Sequence, residues 1–198
     1  MQTTDARTGR QLRSLRQQFT TRSEGDDIFI EGYFAVFDSP YELWPGATEI
    51  IKPGAFSACL GGDIRALINH ETRLVLGRTF AGTLTLREDA HGLWGRITVN
   101  RSDGDAMNLY ARVLRGDVDQ CSFGFDIVSE TFVDNGDGTV RWEINEVVLY
   151  EVSVVTFPAY EETAVSARKK DLETITRRKN EAWRAEIKKH LKGEANGT

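Results

Sequence analysis

One serine in the chain sits in a pattern suited to nucleophilic chemistry. Cys121-Ser122-Phe123-Gly124-Phe125-Asp126-Ile127 alternates apolar with small or polar residues, which is the period of a β-strand. The alternation puts Cys121, Phe123, Phe125 and Ile127 on one apolar face, and Ser122, Gly124 and Asp126 on the other. A small hydroxyl beside a glycine leaves space for a substrate backbone to approach. An ordinary outward serine on an edge strand fits the same pattern. A serine hydroxyl is a weak nucleophile at neutral pH and needs a base. The chain has three histidines. His190 falls in a charged tail and His91 in a hairpin turn, both poor places for a positioned base. His70 follows the apolar run Ala66-Leu67-Ile68, at the end of a predicted strand that could hold it against a neighbour. A surface histidine at a strand end is the alternative. A third group must orient the imidazole and stabilise its charged form. Glu151 stands within Val147-Val148-Leu149-Tyr150 and Val152 to Val155, where a carboxylate is fully buried only if it is paired. It could also be an outward residue on a one-sided strand. Glu146 and Asp126 are further candidates for the same role.

Other chemistries find less support. Cys121 could be the nucleophile, but the strand alternation aims it at the core, which makes it a much poorer candidate than Ser122. Cys59 and Cys121 are the two cysteines; they indicate no disulfide framework, show no zinc-type spacing and fit a reducing cytoplasm. Asp134-Asn135-Gly136-Asp137-Gly138 has the look of a calcium loop but lacks the downstream bidentate glutamate and suits a tight turn. No phosphate-binding glycine loop is present. No cofactor and no metal are expected. No apolar run approaches the roughly 20 residues of a membrane span, and Met1 to Thr20 has no apolar segment of a secretory signal, so no membrane partner is expected.

The elements that must position these residues are mostly short strands. Ile28 to Phe37 is rich in β-branched and aromatic residues and reads as a strand ended by Ser39-Pro40. Trp44-Pro45-Gly46 marks a loop. Lys52 to Leu60 reads as a short helix, with Pro53 in its first turn and Gly61-Gly62 as its stop. Thr79 to Leu86 and Gly92 to Val99 form a hairpin about Asp89-Ala90-His91-Gly92. Ala106, Leu109, Tyr110, Val113 and Leu114 fall at helical spacing, capped by Ser102 or Asp103 and ended by Gly116. Gln120 to Phe132 is a strand, and Val140 to Val155 is one long strand or two shorter ones. Many short strands with one or two inserted helices are buried economically in a closed or nearly closed barrel.

Charge is distributed unevenly. The net charge of −5 divides into +4 over residues 1–23, −12 over residues 24–160 and +3 over residues 161–198. Residues 1–26 read as a basic, flexible arm, residues 27–160 as a β-barrel domain, and residues 161–198 as a charged helical or disordered tail. The basic ends are solvated tails, or they dock onto an acidic partner or nucleic acid.

In order and spacing, several segments resemble the prohead (head maturation) serine proteases of tailed bacteriophages, relatives of the herpesvirus assemblins. These are Gly32-Tyr33-Phe34-Ala35-Val36-Phe37-Asp38, Ile51-Lys52-Pro53-Gly54-Ala55-Phe56, Leu67-Ile68-Asn69-His70-Glu71 with Leu76-Gly77-Arg78, Ser122-Phe123-Gly124-Phe125, and Leu149 through Ala159. The resemblance spans about residues 27–165. It implies a mainly β fold with flanking helices, a small assemblin-like barrel. It also implies Ser122 as nucleophile, His70 as general base and acid, and Glu151 in the place that a second histidine takes in assemblins. The loop after Pro158 would contribute oxyanion donors. The implied function is a serine endopeptidase that cleaves scaffold protein, or a scaffolding segment of the coat protein, inside the assembling procapsid in the host cytoplasm, with self-cleavage. The implied partners are the major coat or scaffold protein and further copies of the chain, with no nucleic acid. The rival readings are a catalytically inactive barrel serving as capsid assembly scaffold or chaperone, and a stand-alone peptidase or esterase.

Overall fold

The structure, a computed structural model, describes residues 2–4, 11–16, 19–157 and 162–195. In chain order the elements are β1 (Gln2–Thr4), β2 (Gln11–Arg16), β3 (Thr20–Glu24), β4 (Asp27–Val36), β5 (Tyr41–Trp44), β6 (Ala47–Ile51), β7 (Arg65–Ile68), β8 (Glu71–Arg78), β9 (Leu84–Glu88), β10 (Gly92–Thr98), α1 (Gly104–Arg115), β11 (Gln120–Asp134), β12 (Val140–Val155) and α2 (Glu162–Ala195). Met1–Tyr160 form one compact unit and Glu161–Thr198 a second. Among the described residues, no helix is long and apolar enough to cross a membrane.

Two sheets make the first unit. β11 and β12 form a long antiparallel hairpin at the centre of an eight-stranded sheet. The outer edge of β11 carries β2 against Gln120–Phe125 and β1 against Glu130–Phe132. The outer edge of β12 carries β6 and β7, both parallel to it, and β5 and β8 pair with those in turn. The second sheet runs β3-β4-β10-β9. The core lies between them. Cys121, Phe123, Phe125 and Ile127 of β11 are buried with Ile30 and Phe34 of β4 and Leu93 and Ile97 of β10. The Cys121 thiol reaches the Tyr33 carbonyl at 3.2 Å. Phe123 stacks on Phe125 at 4.9 Å and meets Phe56 edge-on at 5.6 Å. Burying each such ring contributes roughly 1.5–3 kcal/mol.

The sheets do not close into the barrel expected from the strand pattern. Their free edges are guarded by charge instead, which is the other way to stop edge-to-edge pairing. β3 carries the Arg22–Glu24 ion pair at 3.0 Å, and β8 carries Arg73–Glu71 at 3.5 Å. Within the segment expected as a basic arm, Gln2–Thr4, Gln11–Arg16 and Thr20–Glu24 are β1, β2 and β3. The expected helix over 52–60 is a chain of turns, with bonds from Ala55 N–H to Lys52 O, Ser57 N–H to Gly54 O and Cys59 N–H to Phe56 O. Gly54 has φ +93°, which breaks a right-handed helix at its third residue. α1 follows its sequence signals. Asp103 accepts from the Asp105 and Ala106 amides, Gly116 ends the helix at φ +84°, and Ala106, Leu109 and Val113 are buried. α2 is a charged helix that leaves Trp183 and Ile187 exposed.

β7 and β8 form the hairpin that presents His70. Their first pair sets Arg65 opposite Arg78, a repulsive placement of like charges. Asp63 resolves it by accepting from Arg78 Nε and Nη2, each at 2.6 Å, and from Arg65 Nη2 at 3.0 Å. The Arg78 hydrogen bonds hold the Asp63 carboxyl below the usual carboxylate range, with Arg65 adding to this. A depressed folded-state pKa stabilises the fold above the unfolded value, and the benefit is lost as pH falls through the folded value. Asp63→Asn is therefore expected to lower Tm at neutral pH. The difference from the unaltered chain should shrink as pH drops below the ordinary carboxylate range, read by thermal melts across a pH series.

Candidate active site

β7, β12 and β11 lie side by side, and their register gathers the chemistry-bearing residues. Ser122 pairs with Ser153, and Gly124 with Glu151. On the other side, Glu151 pairs with Arg65, and Ser153 with Leu67. Paired residues project to the same face. Ser122, Ser153 and Glu151 therefore share one face of the sheet, opposite the face that carries Phe123 and Val152 into the core.

His70 reaches this face from a turn rather than from a strand. Ile68 pairs with Glu71, so Asn69 and His70 are the two central residues of a tight hairpin, with φ +49° and +62°. Positive φ at both positions is the requirement of a type I′ turn. Asparagine tolerates it well; for a histidine it is uncommon. The turn is tied to β12 by the Asn69 N–H to the Val154 carbonyl at 3.0 Å and by the Thr156 N–H to Asn69 Oδ1 at 2.8 Å. The His70 N–H donates to Ser153 Oγ at 3.3 Å.

The imidazole Nδ1 lies 2.8 Å from Glu151 Oε1. A carboxylate only accepts, so Nδ1 is the donor in this contact. Ser153 Oγ–H donates to Glu151 Oε2 at 2.6 Å. Both carboxylate oxygens are thus engaged, as a group 1% exposed requires. His70 Nε2 and Ser122 Oγ are buried and have no hydrogen-bond partner among the described residues. They flank Ser153, one hydrogen-bonded to it through the backbone and the other facing it across the ladder. A cleft of about 500 Å3 opens beside Glu151, lined by Asp63, Arg65, Leu67, Thr72, Asp126 and Tyr150 among others.

The other sequence candidates are placed elsewhere. Asp126 receives the Tyr150 hydroxyl at 2.8 Å, and Glu146 pairs with Ser129 in the ladder. Cys121 is fully buried in the core. His91 sits in a turn, edge-on to Tyr33 at 4.5 Å. His190 lies on α2, in the second unit. Residues 158–161, where oxyanion donors were expected, lie outside the described residues. Ser122 is fully buried, rather than beneath the open space its glycine neighbour suggested. Ser153 and Asn69 had no assigned role from sequence. Strand alternation from Glu151 would have found Ser153, and an asparagine immediately after a strand would have signalled the αL turn.

Residues 17–178 match the family described as caudovirus prohead serine protease, and the chain belongs to that family. It is 31% identical over 158 residues to the prohead protease of Enterobacteria phage HK97. That match takes in 77% of this chain and 66% of the relative's length. The fold is similar to that of the bacteriophage T4 capsid assembly protease gp21, with a TM-score of 0.50 at 13% identity over 75% of this chain and 98% of the other.

Replacing Asn69 by Ala removes the Thr156 bond and forces an alanine into positive φ. The expected loss is roughly 1–2 kcal/mol of stability. Asn69→Gly keeps the conformation and should lose less. Urea denaturation with an unchanged m-value checks both.

Proposed function

We propose that the chain is a serine endopeptidase in which Ser122 is the nucleophile, His70 the general base and acid, and Glu151 the group that orients His70. The observation that carries this reading is the half-buried Glu151–His70 hydrogen bond at 2.8 Å, one strand away from Ser122 on the same face. Ser122 Oγ attacks the scissile carbonyl as His70 Nε2 takes its proton. His70 then gives that proton to the leaving amine. Glu151 fixes the tautomer and stabilises the imidazolium that forms. Ser153 is a positioning residue: it holds the second oxygen of Glu151 and the backbone of His70 together. The unsatisfied Nε2 and Oγ are the two atoms this chemistry joins, and such bonds are commonly long before substrate is bound.

Membership of the prohead protease family supports an activity in phage head assembly. The substrate is the scaffold protein or the scaffolding segment of the coat protein, cut inside the procapsid in the host cytoplasm, and the chain also trims its own termini. Co-expression with the coat protein, followed by gel and mass spectrometry, tests this. Ser122→Ala and His70→Ala should each abolish cleavage and leave the chain at full length, with unchanged circular dichroism. Robust processing by either variant overturns the assignment. Glu151→Gln should slow cleavage by roughly 100-fold or more, because the tautomer is no longer enforced. Ser153→Ala should lower kcat roughly tenfold with little change in KM, the loss of one charge-assisted hydrogen bond behind the base. If no variant differs from the unaltered chain, and none reacts with a serine-directed phosphonate, the inactive-scaffold reading replaces this one.

A further inference from the structure

The strand that carries Ser122 has an outer edge covered by residues that precede the family-matched segment. That segment starts at residue 17, while β1 and β2 end at Thr4 and Arg16. Without them, β11 would present a free row of N–H and C=O groups beside the nucleophile, the standard template for an added strand. β2 fills it antiparallel, with Ser14 opposite Ser122 and Arg13 opposite Phe123.

Arg13 is an unusual residue to find there. It is 5% exposed and points to the core side of the sheet. Its Nε donates to Glu49 Oε1 at 2.5 Å, and Glu49 is 1% exposed on β6. The guanidinium also lies 5.4 Å from the Tyr41 ring centre and 5.7 Å from that of Phe125. Its Nη1 and Nη2 donate back to Leu12 O and Gln11 Oε1. An acid at the floor, aromatic walls and a cavity of about 80 Å3 left beside the side chain describe a pocket for a basic group. Replacing a buried ion pair by apolar residues of the same volume is often neutral or stabilising, so stability alone does not account for this one.

We infer that the outer edge of β11 is a peptide-binding track whose pocket, floored by Glu49, selects an arginine-type side chain one residue before the position facing Ser122, and that the chain's own Gln11–Arg16 occupies the track in cis. This rests on Ser122 being the nucleophile and adds what that site recognises: an extended segment with a basic residue at that place. The cis occupant has an effective concentration on the order of mM, so a free peptide competes poorly until Arg13 is removed.

Binding is tested in the full-length Ser122→Ala chain, where no cleavage can occur. The probes are a fluorescein-labelled peptide of residues 9–18 of this chain and the same peptide with glutamine in place of Arg13. Fluorescence anisotropy should show weak binding to Ser122→Ala itself. It should show at least roughly tenfold tighter binding to Ser122→Ala/Arg13→Ala, with the arginine peptide preferred over the glutamine peptide by about tenfold or more. Adding Glu49→Gln should collapse that preference to less than about threefold. Equal binding of the two peptides, or binding of neither, overturns the inference. Arg13→Gln substitutes if Arg13→Ala does not fold. If neither folds, β2 is an obligatory part of the core and the inference is again overturned. Because hydrolysis plays no part, failure here leaves the protease assignment standing, and failure of the co-expression assay leaves the binding result readable.

Discussion

A carboxylate that is 1% exposed must be satisfied by its neighbours, and the neighbours of Glu151 are what position the candidate site. Its two oxygens take the His70 ring and the Ser153 hydroxyl. Ser153 can reach it only because the two are two residues apart on one strand face. His70 can reach it only because β7 runs parallel to β12 and then reverses within two residues. The parallel pairing, the tight turn and the burial of β12 on both edges thus serve one hydrogen bond. The turn carries a conformational cost at His70, whose positive φ is unfavourable by roughly 1–2 kcal/mol for a side chain of this type. The ties from Asn69 to Val154 and Thr156 offset that cost locally.

Legibility in the sequence followed the range of the interactions. The alternation in Cys121 to Ile127 correctly separates a core face from a chemical face, because a strand's own period decides that. Cys121, Phe123, Phe125 and Ile127 are all buried, and Cys121 is removed as a nucleophile. The apolar surroundings of Glu151 set it apart in the sequence, and of Glu151, Glu146 and Asp126 it is Glu151 whose carboxylate lies 2.8 Å from His70 Nδ1. The openness above Ser122 could not be read this way, since it depends on what lies over the strand. Nor could β2. Gln11-Leu12-Arg13-Ser14-Leu15-Arg16 is charge-rich and has the composition of a solvated arm, and only its partner β11 makes it a strand. The turn at 52–60 was misread because Pro53 and Gly61-Gly62 bracket a helix convincingly, while the positive φ of Gly54 is invisible in composition.

The same distinction explains why a barrel was expected and two open sheets are found. Closure is one solution to exposed edges, and the strand count alone favours it. The sequence also holds the other solution, charged residues along β3 and β8, but their placement on free edges emerges only from the pairing. Asp63 plays a related part within the β7–β8 hairpin, where it turns a like-charge confrontation of Arg65 and Arg78 into a bridged cluster at the lip of the cleft.

β11 therefore has three separate uses for its three surfaces. One face supplies core rings, the other supplies Ser122, and the outer edge supplies main-chain hydrogen bonds. Main-chain pairing is nearly indifferent to sequence, so an edge alone would accept any extended segment. Discrimination has to come from a side-chain pocket that leaves a polar group unpaired when the wrong residue enters, and a buried glutamate is well suited to this because its penalty without a cation is large. Glu49 occupies that position relative to the strand that holds Ser122, and Arg13 shows that a guanidinium fits it. A binding edge and a selective pocket served by the same short segment couple two functions: whatever displaces that segment must both pair with β11 and answer the charge of Glu49.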